Sequence, residues 1–207
     1  MLISGAHSSG KTTFVKRLLE KANEMYVGGK SDRVFFFYKQ WQPMFNGMSD
    51  DGVEFIEGLP TADWAKKVLG GGGKNGPTAT VVIDDQGTDL NADIANMFTV
   101  TAHHSATCFI AITHTLFGKT PSHRLISMNS TYIVVAKNPR DGSAIGYLGR
   151  QVDVGRASRF VAIFKEATRE PYTYLFIDNT QSADDRFRLR SNVLLENGEP
   201  MRVYERA

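Results

Sequence analysis

Apolar residues along this chain fall into two kinds of pattern. Some form short continuous runs rich in β-branched and aromatic residues, and such runs predict buried strands. Others recur every three or four positions, which predicts amphipathic helices that pack on those strands. The runs predict strands over residues 1–3, 33–38, 53–58, 80–83, 107–113, 131–136 and 172–177. A closing hairpin is expected from residues 193–195 and 201–204.

Helical spacing follows several of these runs. It is clear from a cap at Thr61, over residues 94–101, and in a stretch that includes residues 150–167 and stops at Pro171. Strands that alternate with helices predict an α/β fold, in which a three-layer sandwich surrounds a mostly parallel central sheet. At 207 residues the chain is expected to be one domain, residues 1–207, with a substantial core.

A phosphate-binding motif lies between the first predicted strand and the first predicted helix. It fits G-x-x-x-x-G-K-[ST], in which backbone N–H groups and the N-terminus of the following helix surround a phosphate chain. The residues expected to bind the nucleotide are Gly5, Ala6, His7, Ser8, Ser9, Gly10, Lys11, Thr12 and Thr13. Lys11 is expected to reach the β- and γ-phosphates, and the Thr12 hydroxyl to bind Mg²⁺. The alternative is a Gly/Ser-rich turn entering a helix, but the flanking strand and helix favour ATP and Mg²⁺ as cofactors.

Two acidic residues end the apolar run at residues 80–83. The carboxyl ends of parallel strands meet at the ligand-binding edge of a sheet, so Asp84 is expected to hold Mg²⁺, directly or through water. Asp85 is placed to orient or deprotonate the attacking water. A solvated turn would also suit two adjacent acids, but the buried strand before them favours the functional interpretation.

The run at residues 107–113 ends on His114, whose side chain could sense the γ-phosphate or make a plain contact at the strand end. If this run lies between the first strand and the strand that ends at Ile83, the sheet has the additional-strand, RecA-like order of P-loop NTPases. That order is typical of NTPases with an extra acid in their second motif, as Asp85 would be here. The glycine-rich residues 70–77 predict a surface loop.

Composition narrows the function classes only modestly. The hydrophobic fraction of 42% and the charged fraction of 22% are ordinary for a globular protein. No apolar run approaches the roughly 18 residues of a membrane span, and the apolar opening is too short for a signal peptide. No membrane partner is therefore expected. The single cysteine, Cys108, allows no internal disulfide and fits a reducing compartment.

Charge is distributed unevenly along the chain. Residues 1–118 hold 10 Lys and Arg against 12 Asp and Glu, whereas residues 119–207 hold 14 against 10. Eleven of the 13 arginines fall in the second part. They could bind nucleic-acid phosphates, bind nucleotide phosphates on a neighbouring subunit, or serve only surface solvation. The net charge of +2 is by itself a weak argument for DNA binding.

Several blocks of sequence are similar to one family. They cover residues 38–45, 57–60, 81–85, 103–104, 113–117, 127–141, 148–151 and 188–192. Together they resemble the viral DNA-packaging ATPases of the FtsK–HerA superfamily, particularly the poxvirus-type enzymes of Polintons, adintoviruses and virophages. The resemblance runs from Gly5 to about Tyr204. The phosphate loop is generic, whereas the block at 127–141 is specific.

The resemblance implies a homo-oligomeric ring, of five or six subunits, that uses ATP hydrolysis to drive double-stranded DNA into a procapsid. It implies viral capsid or portal proteins as partners. It also implies an intracellular place of action at the site of virion assembly in the host cell, or association with the virion.

In such rings each ATP lies between subunits, and an arginine of the neighbour stabilises charge on the transferring phosphoryl group. Arg140 matches the specific family block and is the first candidate for this role; Arg150 is the second. Two positions depart from the family. His114 stands where the family usually carries a glutamine sensor, and the pair Asp84-Asp85 leaves an aspartate instead of a glutamate to handle the water.

Two other functions are compatible with the same motifs. One is a small P-loop kinase that passes the γ-phosphoryl group to a nucleotide or metabolite, with arginines in its lid. The other is a nucleotide-dependent DNA-binding scaffold with little turnover, in which Asp85 would be idle. The acids that follow a long β-branched strand suit water activation, and therefore hydrolysis, better than transfer to an acceptor.

Overall fold

The computed structural model describes residues 1–70, 78–84 and 90–205 of the chain. Its strands are numbered in chain order. They are β1 Leu2–Ser4, β2 Arg33–Tyr38, β3 Val53–Glu57, β4 Ala79–Asp84, β5 Thr107–Thr113, β6 Tyr132–Ala136, β7 Tyr174–Asp178, β8 Leu189–Ser191 and β9 Arg202–Val203. Residues 71–77, most of the glycine-rich segment, lie outside the described residues.

The helices are numbered in the same way. They are α1 Lys11–Glu20, α2 Ala22–Met25, α3 Phe45–Asp50, α4 Ala62–Leu69, α5 Ala92–Asn96, α6 Ala102–His104, α7 Pro121–Met128, α8 Gly142–Val152 and α9 Ala157–Ala167. A π-helical turn, Met97–Thr101, joins α5 to α6, and short 3₁₀ helices cover Asp185–Phe187 and Glu196–Gly198. Among the described residues, no helix is both long and apolar enough to cross a lipid bilayer.

All the strands belong to one sheet of order β3-β2-β4-β5-β1-β6-β7-β8-β9. The pairings from β3 to β6 are parallel, and β7, β8 and β9 extend the sheet by antiparallel pairing. The strand β5 lies between β1 and β4, with Ile3 opposite Ile112 and Val81 opposite Phe109. The mostly parallel α/β fold with an additional strand is therefore confirmed.

Side chains alternate between the two faces of the sheet, and each face is covered by helices. In β2, Val34 and Phe36 pack in a core cluster with α1 and α3, whereas Phe35 and Phe37 pack in another with α4, α5 and α7. The helices α8 and α9 cover β6 and β7 in a third cluster that includes Ile133. Ile133 pairs with Leu2 of the second cluster, so α8 and α9 lie on the same side as α4. The result is the predicted three-layer sandwich.

The C-terminal part differs from the sequence prediction in two places. The strand that pairs with β9 is Leu189–Ser191, and not residues 193–195, because Asn192 and Leu195 adopt φ values of +53° and +50° that interrupt extended backbone. The predicted helical stretch over 150–167 is divided into α8 and α9, since Gly155 has a φ of +81°. Local hydrophobic spacing does not reveal such left-handed residues.

Gly149 of α8 lies close to Phe160 of α9, and it provides a test of this packing. A Cβ at Gly149 would lie 3.0 Å from Cδ1 and 3.1 Å from Cβ of the fully buried Phe160, whereas a Cβ at Gly146 on the same helix would meet nothing within 4 Å. Gly149→Ala should lower the free energy of unfolding by about 1–3 kcal/mol through overpacking. Gly146→Ala should leave it unchanged or raise it by about 0.5–1 kcal/mol. Urea denaturation of both variants checks this, and equal stabilities would contradict the packing described.

Candidate functional site

The loop between β1 and α1 requires both of its glycines. Gly10 has a φ of +89°, a left-handed conformation that glycine adopts without strain. At Gly5 a Cβ would lie 2.7 Å from Ser9 Oγ and 2.8 Å from Ala136 Cβ, so there is no space for a side chain. The loop is thus folded tightly over the end of β1, against β6.

The N-terminus of α1 is open to an anion. The helix begins at Lys11. The carbonyl of Gly10, the residue at its N-cap, accepts a hydrogen bond from Phe14 N–H at 2.8 Å. Among the described residues no side chain caps the first turn, and that turn holds no acid. Its N–H groups and the positive end of the helix dipole therefore point at the position that a phosphate takes in such loops.

Lys11 is buried inside this loop. Its Nζ donates to Gly5 O at 3.0 Å and to Ala6 O at 2.6 Å, and lies 3.4 Å from His114 Nδ1. Burial lowers the pKa of Lys11 to about 8, although the nearby Asp84 carboxylate partly opposes the change. Lys11 is therefore mostly protonated at neutral pH and loses its charge at moderately alkaline pH.

The ends of β4 and β5 bring Asp84 and His114 to the same edge of the sheet. Asp84 pairs in register with Ile112, while Ser4, the last residue of β1, pairs with Thr113 next to His114. Burial, together with the positive charge of Lys11 and the neighbouring His7, lowers the pKa of His114. An ammonium can only donate, so if protonated Lys11 bonds to neutral His114, Nδ1 accepts and the imidazole proton lies on Nε2.

These residues line one cleft of about 620 Å³. Lys11, Thr12, Asp84 and His114 all contribute to its wall. The other lining residues are His7, Ser8, Ser9, Gly10, Thr13, Gln40, Trp41, Gln42, Pro43, Met44 and Tyr172. Residues separated by about a hundred positions along the chain thus meet around a single space.

The residues fit a magnesium–nucleoside triphosphate. The uncapped helix N-terminus and Lys11 suit the phosphates, and the Thr12 hydroxyl and Asp84 carboxylate are oxygen ligands of the kind Mg²⁺ prefers. In the described part of the chain no group of three or more His, Cys, Asp or Glu is arranged to hold a metal by itself. Mg²⁺ commonly binds through one or two protein oxygens together with phosphates and water, so two ligands suffice.

Two predicted catalytic residues, Arg140 and Arg150, do not line this cleft, and for a third, Asp85, the structure gives no description. Asp85 follows β4 directly but lies outside the described residues. Arg140 is exposed on the turn after β6, and Arg150 is exposed on α8 with its guanidinium 4.4 Å from the centre of the Tyr147 ring. The turn that carries Arg140 is nevertheless tied to the site, because Arg140 N–H donates to Asn138 Oδ1 and Asn138 Nδ2 donates to His114 O.

Two aromatic residues of the cleft were hard to recognise in the sequence. Packing is the expected role of Trp41 and Phe45; Phe45 is fully buried, but Trp41 keeps 45% of its surface exposed while it packs on Tyr38 and Phe55. The sequence pattern predicts that Tyr172 begins a strand, yet it lies in the turn before β7, beside Gly10. Neither residue belongs to a chemical motif, so only the fold reveals its position.

Comparison with known proteins gives limited information. No family model and no curated protein matches the chain. Among solved structures, EssC (ATPases 2 and 3) from Geobacillus thermodenitrificans superposes with a TM-score of 0.43 and 13% identity, over 65% of this chain and 31% of that one. The cytoplasmic domain of the Thermomonospora curvata type VII secretion ATPase EccC superposes with a TM-score of 0.49 and 16% identity, over 100% of this chain and 25% of that one. The chain thus spans about a quarter to a third of either protein, and similarity at this level says nothing about its activity.

The pKa of Lys11 predicts how nucleotide binding depends on pH. A polyanionic ligand favours the protonated ammonium, so the affinity for Mg·ATP should be constant up to about pH 8 and then fall by up to tenfold per pH unit as free Lys11 loses its proton. Calorimetric titration between pH 7 and 9.5 at saturating Mg²⁺ measures this. Lys11→Met should bind more weakly but with no such slope, and parallel pH profiles for the two proteins would contradict the assignment.

Proposed function

We propose that this protein is a Mg²⁺-dependent ATP hydrolase that assembles into a homo-oligomeric ring and drives double-stranded DNA into a viral procapsid. The observation that carries the ATPase part is the meeting of the phosphate loop, Asp84 and His114 in one cleft at the carboxyl edge of the sheet. The motor part rests on the resemblance of residues 127–141 to viral DNA-packaging ATPases, and on the arginine-rich second part of the chain.

Each residue of the candidate site has a distinct role in this proposal. The loop amides and Lys11 bind and orient the phosphates, while Thr12 and Asp84 hold Mg²⁺, which supplies Lewis-acid stabilisation of the phosphate charge. Asp85 orients or deprotonates the water. Neutral His114 donates from Nε2 towards the γ-phosphate, a role that a glutamine amide would fill in the same way.

Arg140 is proposed to act on the nucleotide of the neighbouring subunit. Its side chain is exposed and lies outside the cleft of its own chain, yet its turn is hydrogen-bonded to the end of β5. A displacement of the His114 backbone would therefore be transmitted to the turn of Arg140 through the two hydrogen bonds of Asn138. Arg150 is the second candidate. Pentameric and hexameric rings are both compatible with this arrangement.

The strand order favours hydrolysis over the kinase alternative. With β5 between β1 and β4, the sheet has the additional-strand order of NTPases that use an extra acid to activate water. Asp85, which directly follows β4 in the sequence, is our candidate for that acid. A scaffold without turnover would need neither this acid nor an exposed arginine next to the site.

DNA should stimulate ATP hydrolysis if the protein is a motor. The rate per subunit is expected to rise cooperatively with protein concentration, because the site is completed between subunits, and to rise further with linear double-stranded DNA. A coupled phosphate-release assay measures both effects, with Lys11→Ala as the inactive control. Phosphoryl transfer to an added small acceptor would indicate a kinase instead, and tight ATP binding without turnover would indicate a scaffold.

Mixing two inactive variants tests the role of Arg140. Arg140→Ala should lower the hydrolysis rate by about 10³-fold or more while retaining ATP binding. When it is mixed with Lys11→Ala subunits, some interfaces combine an intact Lys11 with an intact Arg140 from the neighbour, so hydrolysis should partly recover. Arg124→Ala, which changes an exposed arginine of α7, should remain active by itself.

Recovery is possible only if the two residues act across an interface. Co-assembled rings that stay inactive would therefore exclude Arg140 from acting in trans, and the same mixture with Arg150→Ala would then test the second candidate.

A further inference from the structure

Tyr172 has a backbone conformation and an exposure that packing does not explain. Its φ is +63°, which bulky residues rarely adopt, and 74% of the surface of the residue is exposed. Glycine would fit this turn with less strain. An unusual backbone that holds a large aromatic ring at the surface is therefore a reason to look for a ligand.

The ring lies against the phosphate loop. The Cβ and ring Cδ1 of Tyr172 are 3.5 and 3.6 Å from the point where a Cβ on Gly10 would stand. Tyr172 also lines the same cleft as Lys11 and Thr12. Anything that binds along the loop and extends past Gly10 must therefore pass next to this ring.

The order of the strands decides which end of a nucleotide would reach Tyr172. Asp84 and His114 lie at the ends of β4 and β5, on one side of β1, whereas Tyr172 precedes β7, on the other side. The residue Tyr174 pairs with Ala136 at the carboxyl end of β6, which places the turn at the same edge of the sheet as the loop. If Mg²⁺ and the γ-phosphate belong beside Asp84, the nucleoside end is directed towards Tyr172.

A second cavity beyond Tyr172 suits a base better than it suits phosphates. Tyr172 borders this cavity of about 500 Å³ as well as the phosphate cleft. Its charged lining residues are Glu166, Arg169, Glu170, Glu196, Glu199 and Arg202. Glu199 is paired with Arg202, and Glu196 is paired with Arg17 from outside this lining, so Glu166 and Glu170 stand against Arg169 with an excess of one carboxylate. This excess of negative charge disfavours a polyphosphate and leaves an uncharged base as the better occupant.

We propose that Tyr172 is the platform on which the base of the bound nucleotide stacks. The inference rests on the proposed function, since it takes the direction of the nucleotide from Asp84. Stacking between a base and an aromatic side chain is strong and tolerant of base identity, because every base has a π face. Tyr172 therefore adds affinity for nucleotides in general and does not select adenine over guanine.

The test compares ligands with and without a base on three forms of the full chain: wild type, Tyr172→Phe and Tyr172→Gly. Phenylalanine retains the ring, while glycine removes it and suits the positive φ, so the fold is preserved. Binding of Mg·ATP, Mg·GTP and inorganic triphosphate with Mg²⁺ is measured by calorimetry. Tyr172→Gly should bind both nucleotides about 5- to 150-fold more weakly and inorganic triphosphate with unchanged affinity, and Tyr172→Phe should resemble wild type.

Every other outcome overturns the assignment in an identifiable way. Equal weakening for nucleotides and inorganic triphosphate would mean that Tyr172 supports the phosphate loop and not the base. Unchanged nucleotide binding in Tyr172→Gly would mean that the base lies elsewhere, with the ATPase proposal intact. A wild-type protein that binds neither nucleotide nor triphosphate would remove the proposed function and this inference together.

Discussion

The parallel pairing of β4, β5, β1 and β6 is the constraint on which the site depends. Because the four strands run in the same direction and pair in close register, their carboxyl ends meet at one edge of the sheet. The phosphate loop, Asp84, His114 and the turn of Arg140 all leave the sheet at that edge. A shift of one residue in any pairing would exchange the buried faces of a strand, so the two helical layers that bury those faces also hold the register.

The electrostatics of the cleft favour a single positive charge on the neighbouring side chains of Lys11 and His114. Two unit positive charges about 4 Å apart repel by about 4 kcal/mol at an effective dielectric constant of 20. Lys11 and His114 lie this close, and the conflict is resolved by a neutral imidazole that accepts from the ammonium. The loop carbonyls of Gly5 and Ala6 share the charge of Lys11. Of these two side chains, only Lys11 therefore carries a positive charge, and it lies inside the phosphate loop.

The same edge connects the cleft to the exposed turn that carries Arg140. His114 O accepts from Asn138, and Asn138 in turn accepts from the backbone of Arg140. On the opposite side of β1, Tyr172 separates the phosphate cleft from a second cavity. The proposed nucleotide would thus be held between a metal end, near β4 and β5, and a base end, near β7, with the loop in between.

Most of the strands and the phosphate loop could be predicted from the sequence, because continuous apolar runs, helical spacing and the two glycines are local signals. The run 107–113, for example, is β5 to the residue, and Thr61 caps α4 by accepting from Trp64 N–H. The division between α8 and α9, the position of β8 and the turn at Tyr172 could not be predicted, because each involves a residue with a left-handed φ that hydrophobic spacing does not reveal. What the sequence determined by itself was most of the elements and the chemical groups that Lys11, Thr12 and Asp84 can offer. Only the tertiary structure decided which strand ends are neighbours, because strand order comes from contacts between residues far apart in the chain.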